Sequence, residues 1–140
     1  MTTQEIENHI IEEFSLFEDW MDKYNYLIES GKSLKTIDPK YKDNNHLISG
    51  CQSKVWLHAT YQDGHITFEA DSDAVITKGL VNLLIRVFDN KTPDEILDAR
   101  LDFIEKIGLK EHLSPTRSNG LMSMVKQIKL YAMAYKAKYS

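Results

Sequence analysis

Cysteine is nearly absent from this chain: Cys51 is the one thiol in 140 residues. An intramolecular disulfide, a four-thiolate iron–sulfur cluster and a cysteine-rich zinc site each need several sulfurs from one chain, so none can be built here. Proline and glycine are scarce as well, at three and six residues. No Gly/Ser/Pro-rich linker, low-complexity tract or internal repeat interrupts the sequence, and a single domain over residues 1–140 around one core is expected. Basic residues are in deficit, 17 against 21 acidic ones, for a formal charge of −4. That is the wrong sign for a surface that must neutralise many phosphates, so no nucleic-acid partner is expected. No apolar run approaches the roughly 20 residues that cross a bilayer. Met1-Thr2-Thr3-Gln4-Glu5 lacks the basic start and apolar core of a signal peptide. The expectation is a cytoplasmic protein with no membrane partner and a reduced thiol.

What is present is apolar periodicity. Ile6, Ile10 and Phe14 fall at helical spacing, and Ser15-Leu16-Phe17-Glu18 offers a capping box to a second helix with Phe17, Trp20, Met21, Tyr24, Leu27 and Ile28 on one face. Gly31 is expected to end that helix in the left-handed conformation, and the polar stretch from Lys32 to Asn45 reads as a long surface connection. From Leu47 the period becomes alternating: Val55, Leu57, Ala59 and Tyr61 face one way, Trp56, His58 and Thr60 the other. Asp63-Gly64 is a two-residue turn signal, so residues 54 to 70 form a hairpin, and Leu47-Ile48 is expected to add a third, edge strand. Asp71-Ser72-Asp73 reads as the acidic cap of an almost wholly apolar helix. Gly79 costs that helix about 1 kcal/mol relative to alanine, which close packing against another backbone would explain. Thr92-Pro93-Asp94-Glu95 is another capping box, Gly108 a helix stop, and Ser114-Pro115 the start of a last helix with Leu121, Met124, Val125, Ile128, Ala132 and Tyr135 inward. Helices, a small antiparallel sheet of about three strands, then helices make an α+β domain.

Cys51 lies between Gly50 and Gln52-Ser53-Lys54, just before the strand pattern begins, which is the context of a loop tip. A thiolate there is reactive if a cation such as Lys54 lowers its pKa; otherwise Cys51 is a half-buried small residue. A cysteine hydrolase would need a histidine beside the thiol, and among His9, His46, His58, His65 and His112 the nearest strand position is His58, which otherwise reads as a sheet-face histidine. No pair has zinc-ligand spacing, and no phosphate-binding Gly-rich loop or serine elbow is present. Arg117 is a cation at a helix N-terminus, electrostatically misplaced unless it is solvated surface or contacts a partner.

Gly50-Cys51-Gln52-Ser53-Lys54-Val55-Trp56-Leu57, Asp71-Ser72-Asp73-Ala74-Val75-Ile76-Thr77-Lys78-Gly79-Leu80 and His112-Leu113-Ser114-Pro115-Thr116-Arg117-Ser118-Asn119-Gly120-Leu121 together closely resemble the SufE family of sulfur-acceptor proteins. The resemblance implies a fold shared with iron–sulfur scaffold proteins and a partnership with a pyridoxal-phosphate-dependent, SufS-like cysteine desulfurase. It implies that Cys51 takes the desulfurase's sulfane sulfur as a persulfide and passes it toward a downstream iron–sulfur scaffold. The protein then needs no cofactor of its own, the pyridoxal phosphate being on the desulfurase, binds no metal, is no self-contained enzyme, and is expected as a monomer or weak dimer. Gly50, Gln52, Ser53, Asp73 and Arg117 become loop-supporting or partner-contacting positions, with Trp56 at the loop's base, and an apolar shelter for Cys51 is implied. Two other readings stand beside it: a non-covalent regulatory module of a desulfurase or scaffold, and a stand-alone cysteine hydrolase using His58.

Overall fold

Thr2 and Glu5 open the first helix, α1 (Thr3–Ser15), as a reciprocal capping box, and Ile10 and Phe14 bury its inner face. The structure, a computed structural model, describes residues 1–35, 37–51 and 53–139. Ser15 does not cap the next helix. Its hydroxyl donates back to the Glu12 carbonyl at 2.7 Å, and α2 (Trp20–Gly31) is instead capped by Asp19, whose carboxylate accepts from the Met21 amide at 3.0 Å. The extended backbone of Asp19 suits a cap, whereas Ser15 is still inside α1.

Gly31 is not a left-handed stop either. It is the buried last residue of α2, where a Cβ would lie 2.8 Å from the Gly79 amide nitrogen, while a Cβ on Gly79 would run into the Leu27 carbonyl. The two glycines let the backbones of α2 and α3 (Val75–Phe88) touch, which is the close packing expected of Gly79. The connection after α2 is less superficial than its polarity suggests. Leu34 and Ile37 are buried, and two 3-10 turns, Pro39–Tyr41 and Asn44–His46, lie over the outer face of the sheet, with Tyr41 stacked on His58 at 3.6 Å.

Strands β1 (Val55–Gln62) and β2 (His65–Ser72) pair antiparallel, from Val55 opposite Ser72 to Gln62 opposite His65. Asp63 and Gly64 both have positive φ, 52° and 82°, as a tight hairpin matched to strand twist requires. Among the described residues the sheet has two strands, not three. Leu47 makes a single bridge to Trp56 and the Ile48 amide donates to the Val55 carbonyl at 2.9 Å, but a 3-10 turn ends at His46 and Gly50, at φ +87°, turns the chain away. Two residues between such turns cannot continue a ladder.

Asp71 and Ser72 finish β2 rather than cap α3, whose N-cap, Ala74, makes no side-chain hydrogen bond. Buried Asp71 is taken by Lys42 at 2.6 Å and Lys78 at 3.4 Å. Burial alone would raise its pKa, but Lys42, the Ser72 amide and Lys78 outweigh it and hold the carboxyl below its ordinary range. The remaining helices follow the sequence reading. The Thr92/Glu95 capping box opens α4 (Pro93–Asp98), and Gly108 at φ +83° separates α5 (Asp102–Lys106) from α6 (Leu109–His112). The long α7 (Pro115–Tyr139) buries Leu121, Met124, Val125, Ile128 and Ala132. The result is an α+β fold in which α3, buried almost all round, packs on α1, α2, β2 and α7 in one contiguous core.

Candidate functional site

The segment carrying Cys51 is a short loop with a fixed base. On its incoming side the Ile48 amide is bonded to Val55. On its outgoing side the Lys54 amide donates to Asp73 Oδ1 at 3.0 Å and the Asp73 amide donates to the Lys54 carbonyl at 3.2 Å. Asp73 thus ties the loop to the junction between β2 and α3. Gly50 has two reasons to be glycine: its φ of +87°, and the Ser123 hydroxyl of α7, which would lie 2.6 Å from any Cβ there.

The tip folds down onto two helix starts. Cys51 is half-buried, and its thiol donates to the Gly120 carbonyl of α7 at a sulfur–oxygen distance of 3.6 Å. Around it lies a small cleft with ≈ 20 Å³ of free space. Ser53 of the loop lines it, as do Thr77 and Leu80 of α3. From α7 come Thr116 and Arg117, in the first turn, and Gly120 and Met124. Ser114 caps that turn, its hydroxyl accepting from the Arg117 amide at 3.3 Å. The lining is therefore only partly apolar, Leu80 and Met124 standing among Ser53, Thr77, Thr116 and Arg117.

Cys51, Ser53 and Arg117 meet at this cleft; Gly50 and Asp73 support the loop's base; Gln52 lies outside the described residues. Trp56 sits on the outer face of β1, its ring 5.5 Å from the Lys42 ammonium. Thr77, Thr116 and Gly120 were not signalled by spacing. All three lie within the motif stretches that carry the family resemblance, and Gly120 gives a further clue as a glycine inside a helix, at a cost of about 1 kcal/mol that something must justify.

Burial pushes the Cys51 thiol above its ordinary pKa, and Lys54, whose side chain is exposed, does not offset it. No histidine lines the cleft among the described residues. His58 belongs to a separate cluster, where Asp43 takes the Nδ1 of His46 at 2.7 Å and the other ring nitrogen of His46 meets His58 Nδ1 at 3.1 Å. A nucleophile–base pair of the hydrolase type is thus not formed. Among the described residues no group of three or more histidine, cysteine or acidic side chains is placed to hold a metal ion, and no helix is long and apolar enough to cross a membrane.

Residues 8–132 match the family model described as SufE: Fe-S metabolism associated domain. An uncharacterized SufE-like protein of Rhizobium meliloti (strain 1021) is 44% identical over 128 residues, covering 87% of this chain and 91% of that protein. The solution structure of a hypothetical protein from Thermus thermophilus superimposes with a TM-score of 0.76 at 20% identity, over 96% of this chain and 97% of that one, a likeness of fold. With its motifs, its α+β architecture and a match over most of its length, the chain belongs to the SufE family of iron–sulfur metabolism proteins.

Proposed function

We propose that this protein is a sulfur carrier: Cys51 accepts the outer sulfur of a persulfide on a pyridoxal-phosphate-dependent cysteine desulfurase, speeds that enzyme's turnover, and hands the sulfur on to iron–sulfur cluster assembly. The observation that carries the reading is the lone thiol on a loop with a pinned base and a glycine before it, with no histidine or acidic side chain lining its cleft among the described residues. An enzyme that hydrolyses a substrate needs the base; a carrier needs only a nucleophile that another protein can reach.

The exchange is a displacement at sulfur. The Cys51 thiolate attacks the outer sulfur of the donor persulfide, a new S–S bond forms on Cys51, and the donor S–S bond breaks with its electron pair leaving on the desulfurase cysteine. No electrons are gained or lost overall. In the cleft burial raises the pKa of the thiol and so disfavours the reactive thiolate, a penalty that is relieved when the tip leaves the cleft and meets solvent or the partner. Gly50 supplies the backbone freedom for that movement.

The test is incubation with cysteine and a desulfurase, followed by intact mass spectrometry and a turnover assay. One added sulfur atom on the protein and faster cysteine consumption are expected, both lost in Cys51→Ser. Equal stimulation by Cys51→Ser would overturn the reading in favour of non-covalent regulation.

A further inference from the structure

The two sides of the Cys51 loop are held by different means. On the outgoing side two hydrogen bonds join Lys54 to Asp73. On the incoming side the Ile48 amide bonds to the Val55 carbonyl, and the chain just before it is fastened to the sheet by side chains. His46, two residues upstream of Ile48, closes the second 3-10 turn, and its Nε2 lies 3.1 Å from Nδ1 of His58 on β1. The Tyr41 ring covers His58, with 3.6 Å between centroids and 9° between planes. Asp43 fixes the other side of the His46 ring, its Oδ1 accepting from Nδ1 at 2.7 Å and from the backbone amide at 3.1 Å.

Counting protons sets a limit on this arrangement. His46 holds the Asp43 carboxyl below its ordinary range, so Asp43 is an ionised acceptor near neutrality and the proton between them belongs to His46 Nδ1. The bond between the two rings needs one proton shared by two nitrogens, which the neutral pair and the singly charged pair both supply. When both rings are cations each nitrogen carries a proton and neither accepts. The charges around the pair are divided. Asp43, and Glu69 opposite His58 in the strand register, favour protonation; Lys40 beside Tyr41 opposes it, and Lys42 is engaged by Asp71. Burial first, then the neighbouring His46, hold the His58 pKa below its ordinary value of about 6.5, with Lys40 adding and Glu69 opposing.

We propose that His46 and His58 are positioning residues for the Cys51 loop: their hydrogen bond holds the incoming anchor against β1 while at most one ring is protonated, and releases it when both are. The clasp is a property of this chain alone, and its bearing on sulfur transfer rests on the sulfur-carrier reading. Because the His58 pKa is lower in the folded state, the clasp is complete above the unfolded value and is lost as pH falls through the folded one. The second proton comes from solvent. With the clasp open, Leu47 and Ile48 part more easily from Trp56 and Val55, and the Cys51 tip leaves its cleft more readily.

The test follows hydrogen exchange of single amides by NMR in the full chain between about pH 8 and pH 5, each rate divided by that of an unfolded peptide. In the unsubstituted protein the protection of the Ile48 amide is expected to fall about fivefold as pH drops below about 6.5, the weight of one hydrogen bond, while that of the Lys54 amide stays constant. His58→Phe keeps a ring beneath Tyr41 but cannot bond His46, and is expected to show the low protection at every pH. His58→Asn carries a side-chain amide that both donates and accepts, so it bonds His46 in either charge state and is expected to show the high protection at every pH. A residue that merely filled space would not split these variants. Cys51 alkylation by iodoacetamide is read as the ratio of unsubstituted protein to His58→Asn, so that the thiolate fraction cancels. That ratio is expected near one at about pH 8 and about fivefold higher at about pH 5. Ile48 protection that is flat within about twofold, Phe and Asn variants that behave alike, or an alkylation ratio of one throughout would overturn the proposal. If the dependences hold but no desulfurase loads Cys51, the carrier reading fails and the clasp stands. If a desulfurase loads Cys51 while Ile48 protection ignores pH, the carrier reading stands and the clasp fails.

Discussion

Two influences compete at the Cys51 sulfur. Removal from water favours the neutral thiol, while the starts of α3 and α7 favour negative charge, and burial prevails. Alkylation of the unloaded protein by iodoacetamide is accordingly expected to rise with pH through a midpoint above the roughly 8.5 of a free cysteine. A midpoint at or below that of a model peptide would contradict the burial. A second single-residue prediction concerns Glu7, fully buried on α1, whose two carboxylate oxygens accept from the amides of Leu101 at 3.1 Å and Phe103 at 3.3 Å. Leu101 has φ +59°, and Glu7 serves as the cap that α5 lacks in its own sequence. Glu7→Ala strands both amides and is expected to cost about 2–4 kcal/mol in urea unfolding, from about 1–3 for each unsatisfied buried group. Glu7→Gln, which keeps one acceptor, should cost less. Cys51 was legible because its neighbours break the apolar period. Glu7 was not, because its partners lie 94 and 96 positions away and nothing local says what an acid on the same face as Ile10 and Phe14 would bind.

At the level of elements, two helix-interior glycines separate packing from function. Gly79 faces the Leu27 carbonyl, so Gly79→Ala must push α2 and α3 apart and is expected to cost about 3 kcal/mol or more. A Cβ on Gly120 would meet Cys51 at ordinary contact distances, 3.6 Å from Sγ, so Gly120→Ala should instead raise stability by about 0.5–1 kcal/mol, as alanine replaces glycine in an unstrained helix. Denaturant midpoints of the two variants moving in the same direction would contradict this assignment. The elements themselves were largely readable: the hairpin, the apolar α3, the Thr92 cap and the stripe of α7 follow from period and capping chemistry. The misread boundaries share one cause. Ser15, Gly31 and Asp71 all carry cap or stop chemistry, and each was claimed by something the local sequence does not display: the Glu12 carbonyl, the backbone of α3, and the ammonium groups of Lys42 and Lys78. The third strand failed similarly, because the turns on either side of Leu47-Ile48 leave no length to pair.

Across the whole molecule, the first and third helices are joined electrostatically as well as by packing. Both Glu13 oxygens are engaged by the Arg86 guanidinium, and one also accepts from the Tyr26 hydroxyl, linking α1, α2 and α3. Arg86 holds the Glu13 carboxyl below its ordinary range, against the opposing effect of burial and with Tyr26 assisting. The pKa is lower in the folded state, so this contribution is complete above the unfolded value of about 4.3 and disappears as pH falls through the folded one. Unfolding midpoints between neutral pH and pH ~3 are expected to fall less steeply for Glu13→Gln than for the unsubstituted protein. Parallel slopes would mean that the pair is not formed. The pinned base of the Cys51 loop sets a dimension for any partner. With Ile48 and Lys54 anchored, three residue steps separate Cys51 from each anchor, and at about 3.4 Å per extended residue the tip can project roughly 10 Å from the body. The loop is in effect a depth gauge. A donor sulfur lying deeper than that beneath its own enzyme's surface would have to be brought upward to be collected.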